Sequence, residues 1–139
     1  MRRSIACGFV CVLAALAAAC NNGTKVTSPT PTIVTETFAG ILTPNGAVTH
    51  TFTTQTAGPI QAALTAVAPD ATKSIGFSMG TYNTTTNVCQ IVLDNQIALP
   101  GALLQGNGST AATYCIRVYD TGNVTSDVEF SYGLTVAHP

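Results

Sequence analysis

From residue 33 onward, apolar and polar residues alternate with a period of two. In VTHTFT, Val48, His50 and Phe52 alternate with threonines. In SIGFSMGTY, Ile75, Phe77 and Met79 alternate with Gly76, Ser78 and Gly80. In VEFSYGLTV, Val128, Phe130, Tyr132, Leu134 and Val136 alternate with Glu129, Ser131, Gly133 and Thr135. Such alternation marks strands with one face on a core and the other toward solvent. Turn-forming residues separate the runs at PNG (44–46), AGP (57–59), PDAT (69–72), YNTTTN (82–87) and DTGN (120–123). No window of helical period competes. The pattern predicts strands over 34–42, 47–54, 59–67, 74–82, 88–94, 112–119 and 127–136. The glycine-rich stretch 95–111 is too long for a structureless loop, so a short strand over 102–106 with a covering loop is expected there. Seven or eight strands of this kind close an all-β, two-sheet antiparallel β-sandwich of jelly-roll or immunoglobulin-like type.

Composition agrees. Threonine occurs 23 times, and its branched side chain suits a pleated strand better than a helix. Charged residues make up 8% of the chain, with no basic cluster beyond the first three residues, which excludes a nucleic-acid surface.

The N-terminal stretch breaks the period. Arg2 and Arg3 precede an apolar run over residues 5–16, too short to span a bilayer, and small residues follow at 17–19. This is the layout of a signal peptide, so residues 1–19 are expected to be removed on export. The zone ends in AAAC, which resembles the lipobox of bacterial lipoproteins, although alanine stands at position 17 where leucine is usual. The resemblance implies that Cys20 becomes the lipidated first residue of the mature chain, and Asn21 after it matches outer-membrane sorting. Ordinary cleavage after Ala19 would instead leave a free N-terminal cysteine. Residues 20–32 are rich in Asn, Gly, Ser, Thr and Pro and are expected to act as an extended tether. The sandwich then occupies 33–139.

Several segments together resemble the bacterial pre-peptidase C-terminal (PPC) domain, a β-sandwich usually appended to secreted peptidases. They are ETFAGILTPNGAVTHTFT (36–53), AGPIQAALTA (57–66), ATYCIRVYD (112–120) and YGLTV (132–136). The resemblance implies an opening G-x-L-x-P-G strand, a G-T-Y-x-V-R-V-like strand near the end and a Y-x-L-x-V final strand. Some members of that family bind calcium through acidic turns. Residues 44–52 carry no carboxylate, and no peptidase domain precedes the sandwich.

Candidate chemistry is sparse. Cys7 and Cys11 fall in the signal segment, leaving Cys89 and Cys115 as an even pair in an oxidising compartment, where a disulfide is expected. A reactive thiol or zinc site would have to recruit His50 or His138, the two histidines of the chain. Alternation puts Tyr114, Ile116 and Val118 on the core side and Cys115, Arg117 and Tyr119 on the outer face. Arg117 and Tyr119 therefore form a candidate binding face. If strands 112–119 and 127–136 form a hairpin, Glu129 faces Arg117. Asp94 and Asp120, each near an asparagine, are weak calcium candidates and also suit turn chemistry. There is no H-E-x-x-H. No catalytic site and no cofactor are expected. The expected protein is an exported, membrane-anchored, non-catalytic binding module of the cell envelope, with an envelope protein or a glycan as partner. The alternative is a structural or assembly lipoprotein.

Overall fold

The computed structural model describes residues 30–139. The expected signal peptide, the lipid site at Cys20 and nearly all of the tether lie outside these residues. Eight strands follow in order: β1 (Val34–Leu42), β2 (Ala47–Thr53), β3 (Gly58–Ala68), β4 (Ile75–Asn83), β5 (Val88–Ala98), β6 (Leu103–Gly108), β7 (Thr113–Tyr119) and β8 (Phe130–His138). All pairings are antiparallel. β1 pairs with β8, β2 with β7, β3 with β6 and β4 with β5, so the chain is one long hairpin rolled on itself. Two further ladders, β3 with β8 and β4 with β7, complete the sheets β1-β8-β3-β6 and β2-β7-β4-β5. Of the two sandwich types compatible with the sequence, this is the jelly roll.

The core lies between the sheets and follows the alternation. Phe130, Tyr132, Leu134 and Val136 of β8 are buried against Tyr114, Ile116 and Val118 of β7 and Phe77 of β4. Each fully buried aliphatic or aromatic side chain contributes roughly 1.5–3 kcal/mol relative to exposure. Both central strands of each sheet carry unbroken apolar faces, which fixes their register, since a one-residue slip would turn the whole set toward solvent.

Four local expectations are corrected. Residues Ile75 to Gly80 are buried on both faces of β4, although the alternation assigned Gly76, Ser78 and Gly80 to solvent. β4 is an inner strand whose outer face is roofed by its neighbours: the Tyr119 ring lies over Gly76, and the β5 backbone lies over Gly80. The last strand begins at Phe130, not at 127, and Val128 is exposed, because residues 120–129 must carry the chain from one sheet to the other. For the same reason β7 and β8 form no hairpin. Arg117 sits opposite Thr49 on β2 and Ser78 on β4, and the expected pairing with Glu129 does not exist. Finally, β5 continues to Ala98 and a tight turn over Leu99–Ala102 leads into β6. The stretch after residue 95 is therefore strand and turn. Ile97, Leu99 and Leu103 are exposed, and Leu104 enters the core with Ala98.

Cys89 and Cys115 form a disulfide with a Cα–Cα distance of 5.8 Å. They sit on β5 and β7, with β4 between them. In a flat sheet, strands two places apart lie about 9.6 Å from each other. β5 closes the gap by folding over the outer face of β4, with its Gln90 carbonyl seated on Gly80. Any side chain at position 80 would occupy the space of the Gln90 carbonyl, so glycine there is what lets the bridge form.

Candidate functional site

The outer face of the β2-β7-β4-β5 sheet holds the residues that the sequence singled out. One register row runs Thr49, Arg117, Ser78, Asp94 across four strands. Tyr119 lies one step along β7. Its hydroxyl donates to Asp94 Oδ1 at 2.8 Å, and its ring covers Gly76. Partial burial, then the hydrogen bond and charge of Asp94, push the phenol up to about 12, against a small opposing effect of Arg117. The Arg117 guanidinium lies 4.9 Å from the Tyr119 ring centroid, within cation–π range. Among the described residues no carboxylate lies within 4.0 Å of it, the one ion pair being His138 with Glu36. The face therefore carries one unpaired cation held against a tyrosine, beside threonine hydroxyls of β2. Tyr119 has its hydroxyl and one ring face already engaged.

Asp94 and Asp120 serve the fold. Asp94 accepts from Tyr119 and from the Gln96 side-chain amide. Asp120 accepts from the amides of Gly122, Asn123 and Val124 through Oδ1 and from Asn45 through Oδ2. Partial burial pushes its carboxyl up, but those four amides outweigh it and hold it below the usual range. This is an aspartate closing a turn and tying it to the β1–β2 turn 75 residues away. Among the described residues, no group of three or more His, Cys, Asp or Glu side chains converges.

The histidines lie on the opposite side of the sheet, in the seam between the edge strands β1 and β2. His50 Nε2 is 2.8 Å from the Tyr132 hydroxyl, and its ring packs 4.9 Å from Phe38. His138 is buried. Its Nε2 is 2.8 Å from Glu36 Oε1, its Nδ1 is 3.3 Å from the Pro139 carbonyl, and its ring lies 5.0 Å from Phe52. Burial lowers the basicity of His50 and pushes the Tyr132 phenol up to about 12. Among the described residues no serine, threonine or cysteine is hydrogen-bonded to either imidazole, the contact that would activate it as a nucleophile. Sequence reasoning found His50 on a half-buried strand but missed the Glu36–His138 pair. The parity of β8 was the available signal, because His138 shares the core face with Val136.

A shallow groove of about 520 Å³ lies on the outer face of the other sheet, lined by Ile33, Pro59, Gln61, Gln105, Asn107 and Ala137 among others. Its walls are amides and aliphatic groups without charge.

The described residues form an eight-stranded jelly roll carrying one disulfide. The fold is similar to that of the Yersinia pseudotuberculosis-derived mitogen, with a TM-score of 0.55 and 14% identity over 79% of this chain and 88% of that one. The periplasmic g-type lysozyme inhibitor PliG of Aeromonas hydrophila has a TM-score of 0.46 and 12% identity over 74% of this chain and 82% of that one. At 14% identity the likeness to the mitogen is one of fold alone. No family model matches the chain, and no curated protein matches it in sequence.

Proposed function

We propose that this chain is an exported, lipid-anchored, non-catalytic binding module of the bacterial cell envelope, its sandwich a divergent relative of the PPC domain. The observation that carries the reading is the Cys89–Cys115 bridge. Disulfides persist in exported proteins and are rare in the cytosol, and here Gly80 and the path of β5 are arranged around one. The export reading also agrees with the signal-like first 19 residues and with Cys20 after them. Acylation of Cys20 would hold the jelly roll at a membrane without a spanning helix.

A binding role fits because His50, His138, Asp94 and Asp120 all have structural partners. Arg117 keeps an unpaired cation on an outer face. We assign the Arg117–Tyr119 face as the contact for an envelope protein or an anionic glycan.

Growth with radiolabelled palmitate tests the anchor. The protein takes up label, and Cys20→Ser abolishes it while Cys89 and Cys115 stay bridged. An unlabelled wild-type protein refutes the anchor. For the face, crosslinked pull-down from the native envelope recovers one stoichiometric partner that Arg117→Ala loses. Equal recovery by the variant removes the face from the proposal.

A further inference from the structure

Among the described residues, the flank formed by β5 and β6 gathers most of the exposed large hydrophobic side chains. β6 and β5 are each an edge strand of their sheet, opposite the edges β1 and β2, and the Leu99–Ala102 turn joins them, so these two edges share one side of the sandwich. Of the ten exposed large hydrophobic residues among the described residues, six lie here: Val88, Ile91, Val92, Ile97, Leu99 and Leu103.

Two irregularities explain the most exposed of them. Along β4 the register steps from Met79 opposite Leu93 to Gly80 opposite Ile91, which leaves Val92 as an extra residue. It then steps from Ile75 opposite Ala98 to Phe77 opposite Asn95, which leaves a second extra residue at 96–97. Each is a β-bulge, and bulges re-aim side chains. Val92 and Ile97 are the two most exposed large hydrophobics among the described residues, at 72% and 77%. The bulges also interrupt the free edge of β5, so a partner strand cannot simply extend the ladder along it. What the flank offers is a ridge of aliphatic side chains.

We infer that this ridge is a homodimer interface, seated on the same ridge of a second copy of the chain. Its size suits that role. Six aliphatic residues at these exposures present on the order of 600 Å², the upper end of what a monomer leaves open. With the intervening Gln90 and Gln96 the flank approaches the roughly 800 Å² per partner of a standard interface. Its composition points the same way. From Val88 to Leu103 the only charged residue is Asp94, whose carboxylate already holds Tyr119 and Gln96. Homodimer interfaces are the most apolar class, and a two-fold contact needs only one self-complementary patch. A membrane surface would instead call for basic and aromatic residues around the ridge. The described residues contain one lysine, Lys73, and one arginine, Arg117, and Arg117 lies over Tyr119 on β7.

Sedimentation equilibrium of the full chain carrying Cys20→Ser tests this without any acyl chain driving association. A dimer is expected at micromolar concentration. Val92→Lys with Ile97→Lys weakens it at least tenfold at unchanged melting temperature, and Ile41→Lys, an exposed position on the opposite flank, leaves it intact. A monomer at 100 μM overturns the proposal, as does equal dissociation by Ile41→Lys. If the double variant fails to fold, benzophenone placed at position 97 of the protein in cells decides the matter. A crosslinked homodimer supports the interface; crosslinking only to lipid or to another protein overturns it.

Discussion

Replacing Gly80 with alanine tests the arrangement that places the disulfide. A Cβ at position 80 would overlap the Gln90 carbonyl and lie 2.8 Å from Ile91 Cα. Both are backbone atoms of β5, so no side-chain rotation relieves the clash. β5 must lift off β4, which strains the Cys89–Cys115 bridge and loosens the ladder around the Met79–Gly80 bulge. Overpacking of this kind costs about 1–3 kcal/mol and sometimes more, and contact with backbone puts this case at or above the top of that range. Against it, alanine reduces the entropy of the unfolded chain and returns about 0.4–1 kcal/mol. The net expectation is a loss of about 2–3 kcal/mol, a fall of roughly 10 °C in melting temperature for a domain of this size. Circular-dichroism melts of wild type and variant measure it, with thiol titration under denaturing, non-reducing conditions to verify that both are bridged. Gly76→Ala is the comparison. There the obstacle is the Tyr119 ring, which can swing away at the expense of the Asp94 hydrogen bond, so a smaller loss of about 1–2 kcal/mol is expected. If Gly80→Ala melts within 2 °C of wild type, β5 does not rest on Gly80 and the account of the bridge is wrong.

Other consequences can be measured on the same protein. Cys89→Ser with Cys115→Ser removes a cross-link between residues 26 apart and lowers unfolding stability by about 3–4 kcal/mol on the chain-entropy estimate; a loss below 1 kcal/mol in denaturant titration contradicts it. Burial lowers the pKa of His50 in the folded state, while the unfolded chain binds the proton near pH 6.5. Stability is therefore full above that pH and declines as pH falls below it, and His50→Gln flattens this part of the profile. Tyr119 and Tyr132 titrate near 12 when folded and near 10 when unfolded. Their contribution is complete below pH 10 and is lost as pH rises toward 12; spectrophotometric titration in which Tyr119→Phe or Tyr132→Phe removes an ionisation near 10 rather than near 12 from the folded protein would refute that.

The period-two pattern carried most of the fold because each strand keeps one face in a single core. The faces of β7 followed directly: Tyr114, Ile116 and Val118 are buried inward, and Cys115 points outward to its bridge. Pairing was not legible in the same way. Alternation gives the face of a strand but not its neighbour, so Arg117 was set opposite Glu129 by proximity in sequence, whereas a jelly roll sends β7 and β8 to different sheets. The burial of Gly76, Ser78 and Gly80 was hidden for a related reason. Small residues read as solvent-facing until a ring or a backbone from elsewhere is laid over them. The bulges at Val92 and at 96–97 arise from the match between two strands, and neither strand alone records it.

The rolled hairpin also sets an order of events in time. β4 and β5 are the innermost pair and the nearest in sequence. Each outer ladder waits for a more distant strand, and β1 is completed only by β8, through contacts such as Glu36 with His138, 102 residues apart. β8 is also the strand that joins β1 to β3. A chain emerging from the ribosome therefore closes the β2-β7-β4-β5 sheet only when β7 is out and the β1-β8-β3-β6 sheet only when β8 is out, and non-local topologies of this kind fold slowly. On the proposal that the chain is exported, that delay is an advantage for a polypeptide that must pass a membrane as a thread. Its second sheet stays open until β8 is made, and under that proposal the Cys89–Cys115 cross-link forms after arrival where thiols are oxidised.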